Sequence, residues 1–338
     1  MILFCLFSGC YSKFLIYNES HKIDCKTKIV TFFQYTNFTD FDPLDEFKIA
    51  FDLFIDVNFM YVDCRMHLDF CESNNVYTNS IKIINDHKES TFSNSNEFIA
   101  FEIVDFVEKT LNVKSKYIKT NFELLDKDNF TDFVLSNHYN LIVFLDMSEK
   151  QSQIMKPQID ELAYSFRNDK DIGVGYIDCN KNLQFCLDNN IDAAPIIRAY
   201  GNGKPYDYIE ERFFHKLLRF SNNIFHKYRK SNGDRNEEYG TIPNILPLVK
   251  AFMKKNTKHK IIKQIKAIQD SENYQKITKR ILKYGADIIQ KDIIKYKHFY
   301  KNAYDNNLET DDIKAYLNVI SQFEECMPYI PPRENTEL

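Results

Sequence analysis

Residues 61–76 and 176–191 are two versions of one segment. Tyr-Val-Asp-Cys-Arg-Met-His-Leu-Asp-Phe-Cys-Glu-Ser-Asn-Asn-Val and Tyr-Ile-Asp-Cys-Asn-Lys-Asn-Leu-Gln-Phe-Cys-Leu-Asp-Asn-Asn-Ile agree at 8 of 16 positions, with an offset of 115 residues. That offset is about the length of one compact domain. The chain therefore carries a duplicated unit, and every local pattern has to be read inside that frame. Two such units leave roughly the last third of the 338 residues for something else.

Within the first unit, residues 28–33 read as a buried strand, the mixed segment to position 54 as a helix, and 57–62 and 80–84 as two more strands. Residues 97–111 carry apolar side chains at helical spacing. The second unit repeats the order: strand 141–145, helix 154–166, strand 172–177, strand 196–200, a hairpin turn at Gly201-Asn-Gly203, and helix 211–225. An extra strand at 122–125 and a turn and helix at 129–135 precede it. Strands alternating with helices predict a mainly parallel sheet with helices on its faces. Residues 226–247 are polar and punctuated by Gly and Pro, as a linker is. Positions 248–325 hold no Pro and one Gly, Gly285. Apolar positions such as Ile277, Ile281, Ile288 and Ile289 there predict four or five helices in a small bundle.

The chain opens Met1-Ile-Leu-Phe-Cys-Leu-Phe-Ser-Gly-Cys10, an apolar run followed by small residues and uncharged until Lys13. We read residues 1–17 as a secretory leader cut between Cys10 and Asn18; a buried first strand is the alternative. No later stretch reaches the roughly 18 apolar residues that span a bilayer. The chain ends Asn335-Thr-Glu-Leu338, which resembles the KDEL class of retrieval signal. Sequons at Asn18, Asn37 and Asn129 offer glycosylation sites.

A strand, Asp-Cys, six residues, Cys, Asn-Asn-Val/Ile, then Ala194-Pro195-Ile-Ile-Arg-Ala-Tyr200, resembles the thioredoxin-like domains of the protein disulfide isomerase family. Tyr274-Gln-Lys-Ile-Thr-Lys-Arg-Ile-Leu-Lys-Tyr-Gly285 and Leu317-Asn-Val-Ile-Ser-Gln-Phe323 resemble the all-helical C-terminal domain found in endoplasmic-reticulum members of that family. The resemblance implies a thioredoxin-like α/β fold twice, over 20–113 and 114–230. A linker at 231–247, an all-helical domain at 248–326 and a disordered tail at 327–338 would follow.

Active members place Cys-x-x-Cys between the first core strand and its helix, where a thiolate at the helix start attacks. Counting back from Pro157 puts the two thiol positions at Glu149 and Ser152, so the second unit has no such pair. In the first unit no Cys lies between Cys25 and Cys64. The proline facing the active site, cis in the family, is Pro195; the first unit has Asn79 there, and no cis bond is expected. Arg212 falls where active relatives keep an arginine near the buried thiol, and a surface or capping contact is expected of it instead.

Eight Cys are present, and Cys5 and Cys10 would leave with the leader. In each unit one Cys ends a strand and the next sits on the following helix, which can bring Cα atoms within disulfide range. With an oxidising compartment this predicts two structural disulfides, Cys64–Cys71 and Cys179–Cys186; four buried thiols are the alternative. Zinc at Cys64, His67 and Cys71 fails for want of further ligands, the second unit having Asn182 at the His position. Cys25 and Cys326 stay open: paired, free, or linking chains.

No phosphate-binding loop, zinc-protease motif or nucleophile elbow occurs. The net charge of −4 gives no general drive toward nucleic acid or membrane, and the Lys-rich helical region reads as a solvated face. No cofactor and no metal are expected. The expectation is a non-catalytic protein disulfide isomerase-like protein of the endoplasmic reticulum lumen. It would bind unfolded or assembling secretory proteins as an ATP-independent chaperone or escort, through a groove framed by Met147, Ala194, Pro195 and Ile196. The alternatives are a structural partner of one protein, homodimerisation included, and residual thiol-disulfide exchange through Cys25 or Cys326.

Overall fold

The duplication in the sequence is a duplication of sheet topology. The computed structural model describes residues 13–18, 29–35, 42–85, 88–92, 98–116, 118–120, 122–254, 258–306 and 308–327. Residues 1–12, Cys25, Asn37 and the tail 328–338 with its terminal Glu-Leu lie outside the described residues.

The first unit runs β1 (Phe14–Ile16), β2 (Ile29–Gln34), α1 (Pro43–Asp52), β3 (Asn58–Asp63), α2 (Leu68–Ser73), β4 (Ser80–Asn85), β5 (Lys88–Phe92) and α3 (Ala100–Leu111). Its strands are ordered β1-β3-β2-β4-β5. The second runs β6 (Phe122–Leu125), α4 (Phe130–Ser136), β7 (Tyr139–Leu145), α5 (Lys150–Ser165), β8 (Ile172–Asp178), α6 (Leu183–Asp188), β9 (Ile196–Gly201), β10 (Lys204–Asp207) and α7 (Phe214–Phe225). Its order, read from the other edge, is β6-β8-β7-β9-β10, the same pattern. In each sheet three strands are parallel and the last two antiparallel. The sheets are thus mixed where alternation alone predicts mainly parallel pairing. In the second sheet the edge strand is added by a hairpin: Asn202 and Gly203 both take positive φ, which turns β9 directly into β10.

Strand β7 shows why these runs are continuously apolar. Leu141, Val143 and Leu145 enter one core cluster with α5 and α7, while Ile142 and Phe144 enter another with α4 and α6. A strand buried on both faces has no polar side to alternate with. In β2, Val30 and Phe32 likewise face α1 and α3, and Ile29 and Phe33 face α2. Each such fully buried side chain contributes about 1.5–3 kcal/mol.

Two first-unit strands depart from the pattern read in the sequence. β1 lies inside the residues 1–17 assigned to a leader. It is bonded into the sheet, with Phe59 N–H donating to the Lys13 carbonyl (2.9 Å) and Tyr17 N–H to the Tyr61 carbonyl (2.8 Å). β5, Lys-Glu-Ser-Thr-Phe, is a largely exposed edge strand without the alternation that marks a half-buried one.

The two thioredoxin-like units meet along α3 and α5. Ile99 joins the core of the second and Tyr164 that of the first. The start of α3 has no side-chain cap of its own. Its free N–H groups instead meet carboxylates from α1 and α5: Ala100 donates to Glu46 (3.3 Å) and Phe101 to the buried Glu161 (3.1 Å). Negative charge is favourable at that end of a helix.

Residues 235–338 form the other compact unit of the chain. A 3-10 turn (Pro243–Ile245) leads into α8 (Leu246–Lys254), α9 (Lys258–Lys266), α10 (Glu272–Tyr284), α11 (Ile288–Asp305) and α12 (Asp311–Glu325). Ile277, Ile281 and Ile289 are in its core with Phe252, Tyr316 and Phe323. Gly285, at φ +85°, ends α10 in a conformation that other residues take at a cost.

The stretch 231–247 read as a linker carries specific bonds. Upstream of it, Arg229 is buried on Asp169 (2.8 Å) within the second thioredoxin-like unit. Arg235 pairs with Asp311 (2.7 Å), and Asn318 donates to the carbonyls of Asn236 and Tyr239, within the helical unit. Polar composition here marks satisfied ion pairs as much as loose chain.

Candidate functional site

The corner between β7 and α5 is where the sequence places its two substituted thiol positions. Glu149 is the N-cap of α5, with its side chain exposed and making no cap bond. Ser152, one turn in, is fully buried and accepts a hydrogen bond from Asp146 N–H (3.0 Å). Asp146 itself accepts from the Ser148 hydroxyl (2.6 Å) and N–H (2.9 Å), and those bonds hold its carboxyl below the usual carboxylate range. Gln153 donates to the Met147 carbonyl (3.0 Å). Side-chain oxygens and amides tie the corner where a thiol pair would stand.

Facing it, the Ala194–Pro195 peptide is cis, and Arg212 donates to the Pro195 carbonyl (2.8 Å). Where the sequence suggests a surface or capping contact, Arg212 thus bonds to the proline loop itself. Ala194–Pro195 is the one cis peptide among the described residues. In the first unit Asn79 accepts from Tyr35 N–H (2.6 Å), at the end of β2. The matching N–H of the second unit, that of Asp146, is taken by Ser152 instead.

Between the corner and α6 lies a cavity of about 740 Å³. Asp146, Glu149, Lys150 and Asp192 supply its charge, and Leu183, Leu187 and Ala194 its apolar wall. Of the four groove residues expected from the sequence, Ala194 lines it. Met147 instead packs against the core under α5 and α7, Pro195 is buried, and Ile196 packs toward α4 and α6. The groove accordingly runs over α6, and it is not the weakly charged trough expected. Leu187 is 44% exposed and Leu183 63%. The comparison of repeats held a clue: Leu183 matches Leu68, but Leu187 stands against Glu72.

Both predicted disulfides are present, Cys64–Cys71 and Cys179–Cys186, each with Cα atoms 5.8 Å apart. Each closes a loop short enough for about 2.5 kcal/mol of stabilisation on the chain-entropy account. Cys179 and Cys186 also line the cavity, both nearly inaccessible. Cys326 is a half-buried free thiol, and burial raises its pKa. Asn18 is exposed; Asn129 spends its side chain on the turn before α4, accepting from Asp126 N–H (2.8 Å) and donating to the Leu124 carbonyl (3.1 Å). Among the described residues no His, Cys, Asp and Glu group is arranged to hold a metal, and no helix is long and apolar enough to cross a membrane.

No family model matches the chain. It is 21% identical over 240 residues to a probable protein disulfide-isomerase A6 of Medicago sativa, covering 66% of each chain. It is 21% identical over 230 residues to protein disulfide isomerase-like 2-1 of Oryza sativa subsp. japonica, covering 64% of this chain and 63% of that one. An 84-residue stretch is 30% identical to protein disulfide-isomerase EUG1 of Saccharomyces cerevisiae, covering 25% of this chain and 16% of the yeast protein. The chain thus spans less than two thirds of the length of these relatives. Among solved structures, ERdj5 form II aligns with a TM-score of 0.30 at 18% identity, over 63% of this chain and 29% of that one. The first thioredoxin domain of mouse protein disulfide-isomerase A4 aligns at 0.29 and 19%, over 32% and 78%. Over about two thirds of its length the chain is thus similar to protein disulfide isomerases, and it is built of two thioredoxin-like units and a helical region.

Proposed function

We propose that this protein binds unfolded or assembling secretory polypeptides without exchanging disulfides with them, as an ATP-independent chaperone or escort in the endoplasmic reticulum lumen. The observation that carries the reading is the corner before α5. Thiol-disulfide exchange needs a thiolate there, and Glu149 and Ser152 supply none. The cavity beside it and the Ala194–Pro195 edge remain. What is kept can hold a chain segment; what is lost is the group that would react with one. The secretory placement rests on the likeness to protein disulfide isomerases and on the two disulfides.

The test is a pair of assays on the full chain. Aggregation of reduced, denatured lysozyme, followed by light scattering without ATP, is expected to slow in proportion to added protein. Reduction of insulin by dithiothreitol is expected to run at the uncatalysed rate. Unaltered aggregation would sink the chaperone reading, and insulin turnover would sink the non-catalytic one.

A further inference from the structure

The cavity has an electrostatic sign that the fold does not require. Three carboxylates, Asp146, Glu149 and Asp192, line it against one ammonium, Lys150, leaving a net of two negative charges. Three other carboxylates of the same unit are paired: Asp169 with Arg229 (2.8 Å), Asp171 with Lys227 (2.7 Å), Asp178 with Lys181 (3.4 Å). Among the described residues Asp146, Glu149 and Asp192 make no ion pair, and Glu149 and Asp192 are exposed. Asp146 is held in its ionised form by Ser148. The start of α5 offsets part of this charge, but a helix end amounts to about half an elementary charge and leaves the cavity negative.

Beside these charges lies an apolar surface. Leu183 and Leu187 are one helical turn apart on α6 and both exposed, next to the buried Ile191. The first unit tolerates Glu72 at the position of Leu187, so the sheet and the disulfide do not demand an apolar residue there. Charge against a low-dielectric wall focuses the field into the cleft.

We infer that this cavity takes an extended polypeptide segment in which Lys or Arg neighbours an aliphatic or aromatic residue. The apolar side chain lies on Leu183 and Leu187, and the cation faces Asp146, Glu149 and Asp192. Acidic segments are repelled, so the site sorts clients by charge as well as by exposure of apolar surface. The inference rests on the client-binding reading above and adds the class of segment to it.

The test uses three fluorescent peptides with the same apolar residues and a pair of lysines, serines or glutamates, titrated with the full chain by anisotropy. The lysine peptide is expected to bind about tenfold more tightly than the glutamate peptide at low salt, and high salt to narrow the gap. Glu149→Lys with Asp192→Lys, both exposed, is expected to invert the order. Leu187→Asp is expected to weaken all three peptides and leave the lysine peptide the tightest. Equal affinities for the three peptides would overturn the charge preference and leave client binding standing. Absence of binding by any of them would overturn both. Sedimentation showing a dimer abolished by the Glu149→Lys, Asp192→Lys pair would assign the cavity to a second copy and overturn the peptide assignment.

Discussion

Ser152 is fully buried and accepts from the backbone of Asp146, three residues beyond an exposed Glu149 at the start of a helix. Returning sulfur to both positions tests whether anything else has been lost. A thiol at Glu149 would sit at the N-terminal end of α5, where the helix dipole and free N–H groups lower thiol pKa values. Ser152→Cys replaces a hydroxyl acceptor by a weak one, so the variant is expected to lose about 1 kcal/mol of stability. The double variant Glu149→Cys, Ser152→Cys is expected to acquire insulin-reducing turnover, and Glu149→Cys alone to trap mixed disulfides without turnover. A well-folded double variant that stays inert would show that the corner is misassigned. Cys326 is the converse case. Burial holds its thiol above the usual value, and the nearby Lys250 offsets only part of that. A raised pKa lowers the thiolate fraction at any given pH. Its alkylation by iodoacetamide is therefore expected to be slower than that of a free thiol near neutrality, catching up only as pH climbs through the raised value. A rate equal to that of free cysteine would contradict the burial seen here.

At the scale of elements, the core strands were legible because β7 and β2 are apolar on both faces, and the repeat doubled the signal. β5 was not, because an exposed edge strand of Lys, Glu, Ser and Thr carries no burial pattern. β1 was hidden because a short apolar run near a chain start reads equally as leader or strand. Fixed spacings reach Glu149 and Ser152 at the start of α5 and Pro195 in the cis peptide, but not the walls of the cavity. Met147 turns into the core, and Leu187 turns out on α6. The junction of α3 with α5 was invisible altogether, since it depends on a carboxylate 60 residues from the N–H it accepts. Glu161→Gln tests it. The substitution keeps the volume but removes the charge at the start of α3, and is expected to lower the stability of residues 13–234 by about 1–2 kcal/mol. Urea unfolding measures this, and an unchanged midpoint would mean that Glu161 contributes nothing as a cap.

For the whole molecule, the chain divides into two compact units between Asp234 and Arg235, and each has bonds of its own. The pair of buried Arg229 with Asp169 lies in the first. Arg235 on Asp311, Asn318 on the carbonyls of Asn236 and Tyr239, and Ile242 N–H on the Tyr274 hydroxyl belong to the second. The helical unit also brings its own ion pair, Arg280 with Asp292, to which the buried Tyr316 hydroxyl donates (3.2 Å). Desolvation and the Asp292 charge push that tyrosine far above its usual pKa, so it stays neutral across the range in which proteins are handled. A unit with its own apolar core and its own satisfied polar groups meets the requirement for folding alone. Residues 235–338 expressed separately are accordingly expected to unfold cooperatively in urea and to keep the near-ultraviolet signal of Tyr274, Tyr296 and Tyr316. Residues 1–234 are expected to retain peptide binding undiminished, because every group lining the cavity lies between positions 146 and 194. A helical fragment without fixed tyrosine signals, or a thioredoxin-like fragment that folds but no longer binds, would mean that the two units depend on each other.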